Sequence, residues 1–215
     1  MKVSTAFSLL HEDVRQWVWR QRWHALRDIQ ECAIGPILQA DRDVLISAAT
    51  AAGKTEAAFL PACSHLAEFR PDGVGILSIS PLKALINDQY RRLRELCEIL
   101  RVPLTPWHGD TPHSAKQRQR DEPGGVLLIT PESLESLLLH RSEWCERAFG
   151  ETSHVIIDEF HVFPGTERGC QLQSLLHRLE FLSGRTLPRV ALSATMGAAL
   201  PMAAYLRPPP GSYPR

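Results

Sequence analysis

Short apolar runs and longer amphipathic stretches alternate along this chain. Six runs have the length and aliphatic content of strands, at 43–47, 74–79, 103–107, 125–130, 154–158 and 188–193. Val155-Ile156-Ile157 is continuous rather than alternating, the pattern of a parallel strand buried on both faces. Between the runs the period lengthens. Leu82, Leu85, Ile86, Leu93, Leu96 and Leu100 recur at helical spacing, so the helix expected over 81–100 carries one apolar stripe for packing on a sheet. Further helices are expected at 54–68, 131–139 and 167–182. Nearer the N-terminus one is expected over 11–28 and a second from after Gln30 to about Gln39. Ser80-Pro81 and Thr130-Pro131 each place a hydroxyl at an N-cap before a proline at the first helical position. Such alternation predicts an α/β fold with a mostly parallel sheet and helices on both faces. Pro208-Pro209-Pro210-Gly211 breaks the pattern and reads as an extended tail.

Composition narrows the class. With 215 residues, 44% hydrophobic and 22% charged, the chain is long enough for one sizeable core. Lys and Arg number 24, as do Asp and Glu, so no global field recruits a polyanion. Locally the balance differs: residues 81–120 hold eight Lys/Arg (Lys83, Arg91, Arg92, Arg94, Arg101, Lys116, Arg118, Arg120) against four acids. Arg91, Arg92 and Arg94 read equally as a solvated helix face, and Trp17 and Trp19 as packing residues. The five cysteines are odd in number and lack C-x-x-C spacing, which argues against a zinc site or a disulfide framework and leads us to expect a cytoplasmic protein. No apolar run approaches the roughly 20 residues that span a bilayer, and no membrane partner is expected.

The candidate chemistry starts at Ala48 to Thr55, AATAAGKT, directly after the strand run Val44-Leu45-Ile46. A strand that breaks into a small-residue loop and then opens a helix with Gly-Lys-Thr has the arrangement of a phosphate-binding loop. Its backbone N–H groups converge on phosphate oxygens and the helix offers the positive end of its dipole. Here Thr50, Ala51, Ala52 and Gly53 would form the cradle, Lys54 would reach the β- and γ-phosphates, and the Thr55 hydroxyl would ligate Mg²⁺. An ordinary βα turn with a surface lysine has the same local sequence; a second element decides against it. Val155-Ile156-Ile157 ends in Asp158-Glu159, two carboxylates at the carboxyl end of a parallel strand, where open α/β sheets bind ligands. Asp158 would hold Mg²⁺ and Glu159 would orient and deprotonate an attacking water. Together the two elements describe a Mg-ATP hydrolysis site.

Three more segments follow strand candidates: Ser80-Pro81-Leu82-Lys83-Ala84-Leu85-Ile86-Asn87-Asp88-Gln89, Thr130-Pro131-Glu132-Ser133-Leu134, and Leu192-Ser193-Ala194-Thr195. In this order and spacing the chain resembles a superfamily 2 DEAD/DEAH-box helicase over nearly all of residues 20–197, specifically its first RecA-like domain. SPLKALINDQ, WHGDTP at 107–112 and Glu167-Arg168-Gly169 resemble the Lhr-type (large helicase-related) branch. The resemblance implies a RecA-like P-loop domain over 30–197, preceded by a helical extension at 1–29 that ends in a Q-motif-like segment. It implies that Gln30, with Trp23 as aromatic partner, reads adenine, although His24 to Ile29 lack that motif's usual prolines. It assigns Asp158 to His161, here DEFH, to motif II. Ser193 and Thr195 fall to motif III, with His161 as their partner in coupling hydrolysis to movement. Pro81, Lys83, Thr130 and Pro131 fall in the motifs that touch the backbone of one nucleic-acid strand, with the family branch leaning to DNA over RNA.

Two departures from the family pattern carry expectations. Ala48, Ala49 and Ala51 stand where relatives carry a proline and a further glycine. Alanine at a position needing φ > 0 costs about 1 kcal/mol, and the loop is expected to function because Gly53 is kept. The resemblance also implies a second RecA-like domain, in cis or in trans, that supplies arginine fingers, and residues 198–215 read as a truncated linker towards it. The chain alone is therefore expected to bind Mg-ATP and nucleic acid weakly, to hydrolyse slowly and not to unwind. A nucleotide-binding module without turnover is the alternative. A nucleotide kinase would not carry SAT and two strand-contact motifs in this order.

Overall fold

The computed structural model of the protein describes residues 4–49, 51–194 and 199–208. Three helices precede the sheet: α1 (Thr5–Ser8), α2 (Glu12–Arg20) and α3 (Asp28–Gln39). Then follow β1 (Val44–Ser47), α4 (Lys54–Phe69), β2 (Val74–Ile79), α5 (Lys83–Leu100), β3 (Leu104–Trp107), α6 (His113–Asp121), β4 (Gly125–Ile129), α7 (Pro131–His140) and α8 (Ser142–Phe149). The last elements are β5 (His154–Ile157), a single 3₁₀ turn (Phe160–Val162), α9 (Glu167–Ser183), β6 (Arg189–Ser193) and α10 (Ala199–Leu206).

Among the described residues the six strands form one sheet in the order β1-β6-β5-β2-β4-β3, and every pairing is parallel. Successive side chains along the strands divide between two cores, as the period of two requires. Ile76, Val126, Leu128, Ile156, Val190 and Leu192 pack towards the helices α1 to α5. Leu77, Leu127, Val155, Ile157 and Ala191 pack towards α7, α8 and α9. Both neighbours are apolar, so the central strands read as unbroken hydrophobic runs. The parallel sheet with helices on both faces is the architecture that the alternating pattern predicts.

At the amino end of the sheet, buried Arg189 donates to Glu180 at 2.9 Å and to the Leu206 carbonyl at 2.6 Å. Arg207 donates to Glu180 at 2.8 Å and, through two nitrogens, to Asp43. Four charges thus fasten the end of α10 beneath β1 and β6.

The structure corrects the helix expected over 11–28. Helix α2 stops at Arg20, Arg22 takes a left-handed φ of 56°, and α3 does not start until Asp28. The chain turns over residues 21–27, so that α2 packs against α5 while α3 packs against α4. Gln30 accordingly lies inside α3 rather than ahead of it. The expected capping of α5 by Ser80 also fails. Ser80 still continues the pairing of β2 with β4, donating its N–H to the Ile129 carbonyl at 3.0 Å, and α5 starts only at Lys83 after Leu82. By contrast Thr130 caps α7 as expected, accepting from the Ser133 N–H at 3.3 Å, with Pro131 in the first turn.

Candidate nucleotide-binding site

The candidate segments at 48–55, 80–89, 130–134, 158–161 and 193–194 each follow the carboxyl end of a strand, so the sheet collects them on one rim; Gln30 and Trp23 come from ahead of β1. The loop after β1 is built as its small residues suggest. Ala51 and Gly53 both take left-handed backbone, at φ 62° and 86°, and a turn closes from Ala52 N–H to Ala49 carbonyl at 3.2 Å. The loop accepts alanine in that conformation at Ala51, whereas a Cβ at Gly53 would lie 2.6 Å from Gln30 Nε2 and that side chain would have to shift. Lys54 Nζ donates back to the carbonyls of Ala48 and Ala49, at 2.7 and 3.0 Å. Thr50 lies outside the described residues.

The start of α3 braces this loop. Arg27 Nη1 donates to the Ala51 carbonyl, and Gln30 Nε2 to the Gly53 carbonyl at 3.4 Å. Gln30 Oε1 accepts from the Arg27 N–H at 2.9 Å, so the buried amide is tied both to its own helix end and to the loop. Trp23 packs edge-on against Trp17, with ring centroids 5.6 Å apart.

Asp158 and Glu159 face the same cleft as Lys54, Thr55 and Gly53. Asp158 N–H continues the sheet to the Ile79 carbonyl at 2.9 Å, and Asp158 Oδ1 accepts from the Glu159 N–H at 3.0 Å. Burial, then the neighbouring Glu159 carboxylate, push the Asp158 carboxyl up to about 6, against the opposing pull of the Glu159 amide, Gln89 and Lys54. Glu159 holds a left-handed φ of 46°, sparsely populated for a side-chain-bearing residue. His161 Nδ1 lies 3.3 Å from Glu159 Oε2 and accepts from the Ala194 N–H at 3.4 Å. The Ser193 carbonyl accepts from the Ala48 N–H at 3.2 Å. The segment after β6 therefore sits between the loop after β1 and the turn after β5, touching both. Thr195 lies outside the described residues.

The strand-contact candidates occupy the neighbouring part of the rim, after β2 and β4. Lys83 is exposed and paired with Asp110 at 2.5 Å, a contact that holds the Asp110 carboxyl below its usual range. Pro81 and Pro131 are both buried. Arg168 joins the two segments, donating to the Pro81 carbonyl at 2.8 Å and to Glu132 at 2.9 Å. The neighbouring Gly169 is fixed by close approach, since a Cβ there would meet the Phe163 carbonyl at 2.0 Å. The positive patch read over 81–120 is largely paired: Arg91 with Asp88, Arg92 with Glu56 and Asp88, Arg94 with Glu98.

Residues 27–202 match the sequence profile of the family described as DEAD/DEAH box helicase. The chain belongs to that family. It is similar to the ATP-dependent helicase Lhr-Core of Methanothermobacter thermautotrophicus, 35% identical over 205 residues that take in 88% of this chain and 23% of the relative. It is also similar to the Lhr helicase/uracil glycosylase of Escherichia coli, 37% identical over 187 residues, 75% of this chain and 12% of the relative. Its fold superposes with a TM-score of 0.82 on the structure of the Mycobacterium smegmatis helicase Lhr bound to ssDNA and AMP-PNP, at 31% identity over 94% of this chain and 27% of that one. The chain spans only 23% of the length of the first of these relatives.

In this DEAD/DEAH box helicase domain several residues of the rim were not marked by sequence. Gln89 is buried and donates to Asp158 Oδ2 at 2.7 Å. Arg27 and Arg168 brace loops far away in sequence. Arg92, beside Thr55, also lines the cleft. Gln89 closes the SPLKALINDQ run and Arg168 stands in Glu167-Arg168-Gly169, but neither was given a site role from sequence; Arg27 left no sign.

Proposed function

We propose that this chain is the ATP-binding motor domain of an ATP-dependent nucleic-acid helicase or translocase, the first of two RecA-like domains. The observation that carries the reading is the meeting of Lys54 and Thr55, from the loop after β1, with Asp158 and Glu159, from the turn after β5, across one cleft that all four line. Lys54 and the loop amides would bind the triphosphate, and Gln30 with Trp23 would sit at the adenine end. Thr55 and Asp158 would hold Mg²⁺. The donor set fits that ion: one hydroxyl and one carboxylate oxygen are hard ligands, and among the described residues no cluster of three or more His, Cys, Asp or Glu competes for a softer metal. Mg²⁺, when bound, neutralises charge on the phosphate oxygens. Glu159 accepts the proton of the attacking water.

The rim after β2 and β4 supports the strand-binding part of the proposal. The Pro81 and Pro131 segments, Lys83 and the Thr130 cap would contact the sugar-phosphate backbone and so position a single strand without reading its sequence. DNA is favoured over RNA by similarity to the M. smegmatis helicase solved with ssDNA. Ser193, Thr195 and His161 would couple the two sites. A second RecA-like domain would supply the opposite wall of the cleft and its arginines, so this chain alone hydrolyses slowly and does not unwind.

Steady-state ATP hydrolysis with and without single-stranded DNA, with Lys54→Ala as blank, tests the proposal. DNA-stimulated turnover above that blank is expected. Nucleotide binding without any turnover would leave a binding module and sink the motor reading for this chain.

A further inference from the structure

We propose that Gln89 is the positioning residue for the Asp158 carboxylate, fixing the orientation in which Asp158 meets Mg²⁺. The inference rests on the nucleotide-site reading above.

Gln89 occupies the sheet-facing stripe of α5, between Ile86 and Leu93, and is buried with them. A primary amide among aliphatic neighbours is costly to bury unless both its ends are hydrogen-bonded. Both are. Oε1 accepts from the buried Ser78 hydroxyl at 3.1 Å, and Nε2 donates to Asp158 Oδ2 at 2.7 Å. Chemistry fixes the amide's sense, because an ionised carboxylate only accepts and so must face the NH₂ end. Ser78 in turn lies inside β2, next to β5 in the sheet, where Ser78 pairs in register with Ile156.

The consequence for Asp158 is specific. Its Oδ1 is held by the Glu159 N–H at 3.0 Å and its Oδ2 by Gln89 at 2.7 Å. One donor belongs to the turn after β5 and the other to α5. A carboxylate gripped at both oxygens cannot spin about its last bond, yet each oxygen keeps lone-pair capacity towards the cleft that Asp158 lines. Glu159 supplies the second grip through its left-handed backbone, but that grip alone leaves Oδ2 free to swing. A polar residue that merely satisfied the core would have no reason to end on the one carboxylate assigned to the metal.

Outer partners of metal ligands typically change metal affinity by about 10–100-fold when removed. The test is binding of a fluorescent ATP analogue to this chain, titrated with Mg²⁺ and repeated in EDTA. Gln89→Met keeps the volume and removes both hydrogen bonds. The expected result is that Gln89→Met needs at least about tenfold more Mg²⁺ for half-maximal binding than the wild type, while its binding in EDTA equals that of the wild type. An unchanged Mg²⁺ requirement in folded Gln89→Met overturns the proposal. If that variant does not fold, Gln89→Leu, which also removes the Nε2 donor to Asp158, decides in its place: a raised Mg²⁺ requirement upholds the proposal and an unchanged one overturns it. Failure of the wild type itself to bind the analogue would instead overturn the nucleotide-site reading, and the inference with it.

Discussion

Gln30 and Gly53 touch across the mouth of the phosphate loop, the glutamine amide 3.4 Å from the glycine carbonyl and the space for a glycine Cβ already filled by Nε2. Gly53→Ala should therefore suffer twice. The backbone at φ 86° costs a residue with a Cβ about 1 kcal/mol, and the methyl group must push Gln30 aside. Nucleotide affinity is expected to fall about tenfold or more, with the far-UV circular dichroism spectrum unchanged. Equal affinity for the variant would mean that the loop reorganises freely.

On the proposed function, Glu159 accepts the proton while Lys54 and the loop would hold the phosphates. Glu159→Gln should then keep nucleotide affinity and lose turnover by about 100- to 10,000-fold. Single-turnover hydrolysis checks this; undiminished turnover removes the assignment.

Lys83 is not a free cation, because Asp110 holds it at 2.5 Å. A phosphate must compete with that carboxylate. Lys83→Ala should weaken single-strand binding and reduce the slope of log affinity against log salt by about 1. Asp110→Asn should act in the opposite direction and tighten binding at low salt. Fluorescence anisotropy over a salt series reads both. Looser binding by Asp110→Asn would show that the pair itself, not the lysine alone, makes the contact.

His154 lies at the amino end of β5, donating from Nε2 to the Ile37 carbonyl at 2.8 Å, with the His65 ring 5.0 Å away. Burial first, with lesser contributions from His65 and Arg185, pushes it down to about 4 from the ordinary 6.5. The unfolded chain takes up this proton within that window and the folded chain does not. The stability tied to the neutral ring is therefore fully present above about pH 6.5 and is lost as pH falls towards 4. The loss should be on the order of 3 kcal/mol across the window. Urea denaturation at pH 7 and pH 4.5 should show a smaller acid loss for His154→Gln than for the wild type; equal losses would assign the effect to other groups.

The sheet and the two ends of the cleft were legible in the chain because each is written locally. A buried parallel strand is a contiguous apolar run, and a phosphate loop is a contiguous run of small residues before a lysine. The short helices α6 and α8 were not legible. His113 to Asp121 is almost wholly polar, and Ser142 to Phe149 completes barely two turns, too few for a stripe to repeat. The break between α2 and α3 carries no Gly or Pro, because Arg22 itself adopts the left-handed turn. Ser80-Pro81 misled for a different reason: the strand holds Ser80 to the sheet and postpones the helix. The braces made by Gln89, Arg27 and Arg168 join residues far apart in sequence and exist only once the sheet has formed.

The contacts of Ser193 and Ala194 have one more consequence. The carbonyl gripped by Ala48 and the N–H gripped by His161 belong to a single peptide unit, which is planar and rigid. Tilting that plate to follow one neighbour necessarily tilts it against the other, as a seesaw does. Because the plate itself is main chain, alanine at Ser193 would leave both of its bonds in place. Replacing the amide of Ala194 with an ester, which deletes one N–H and changes no side chain, would expose the linkage.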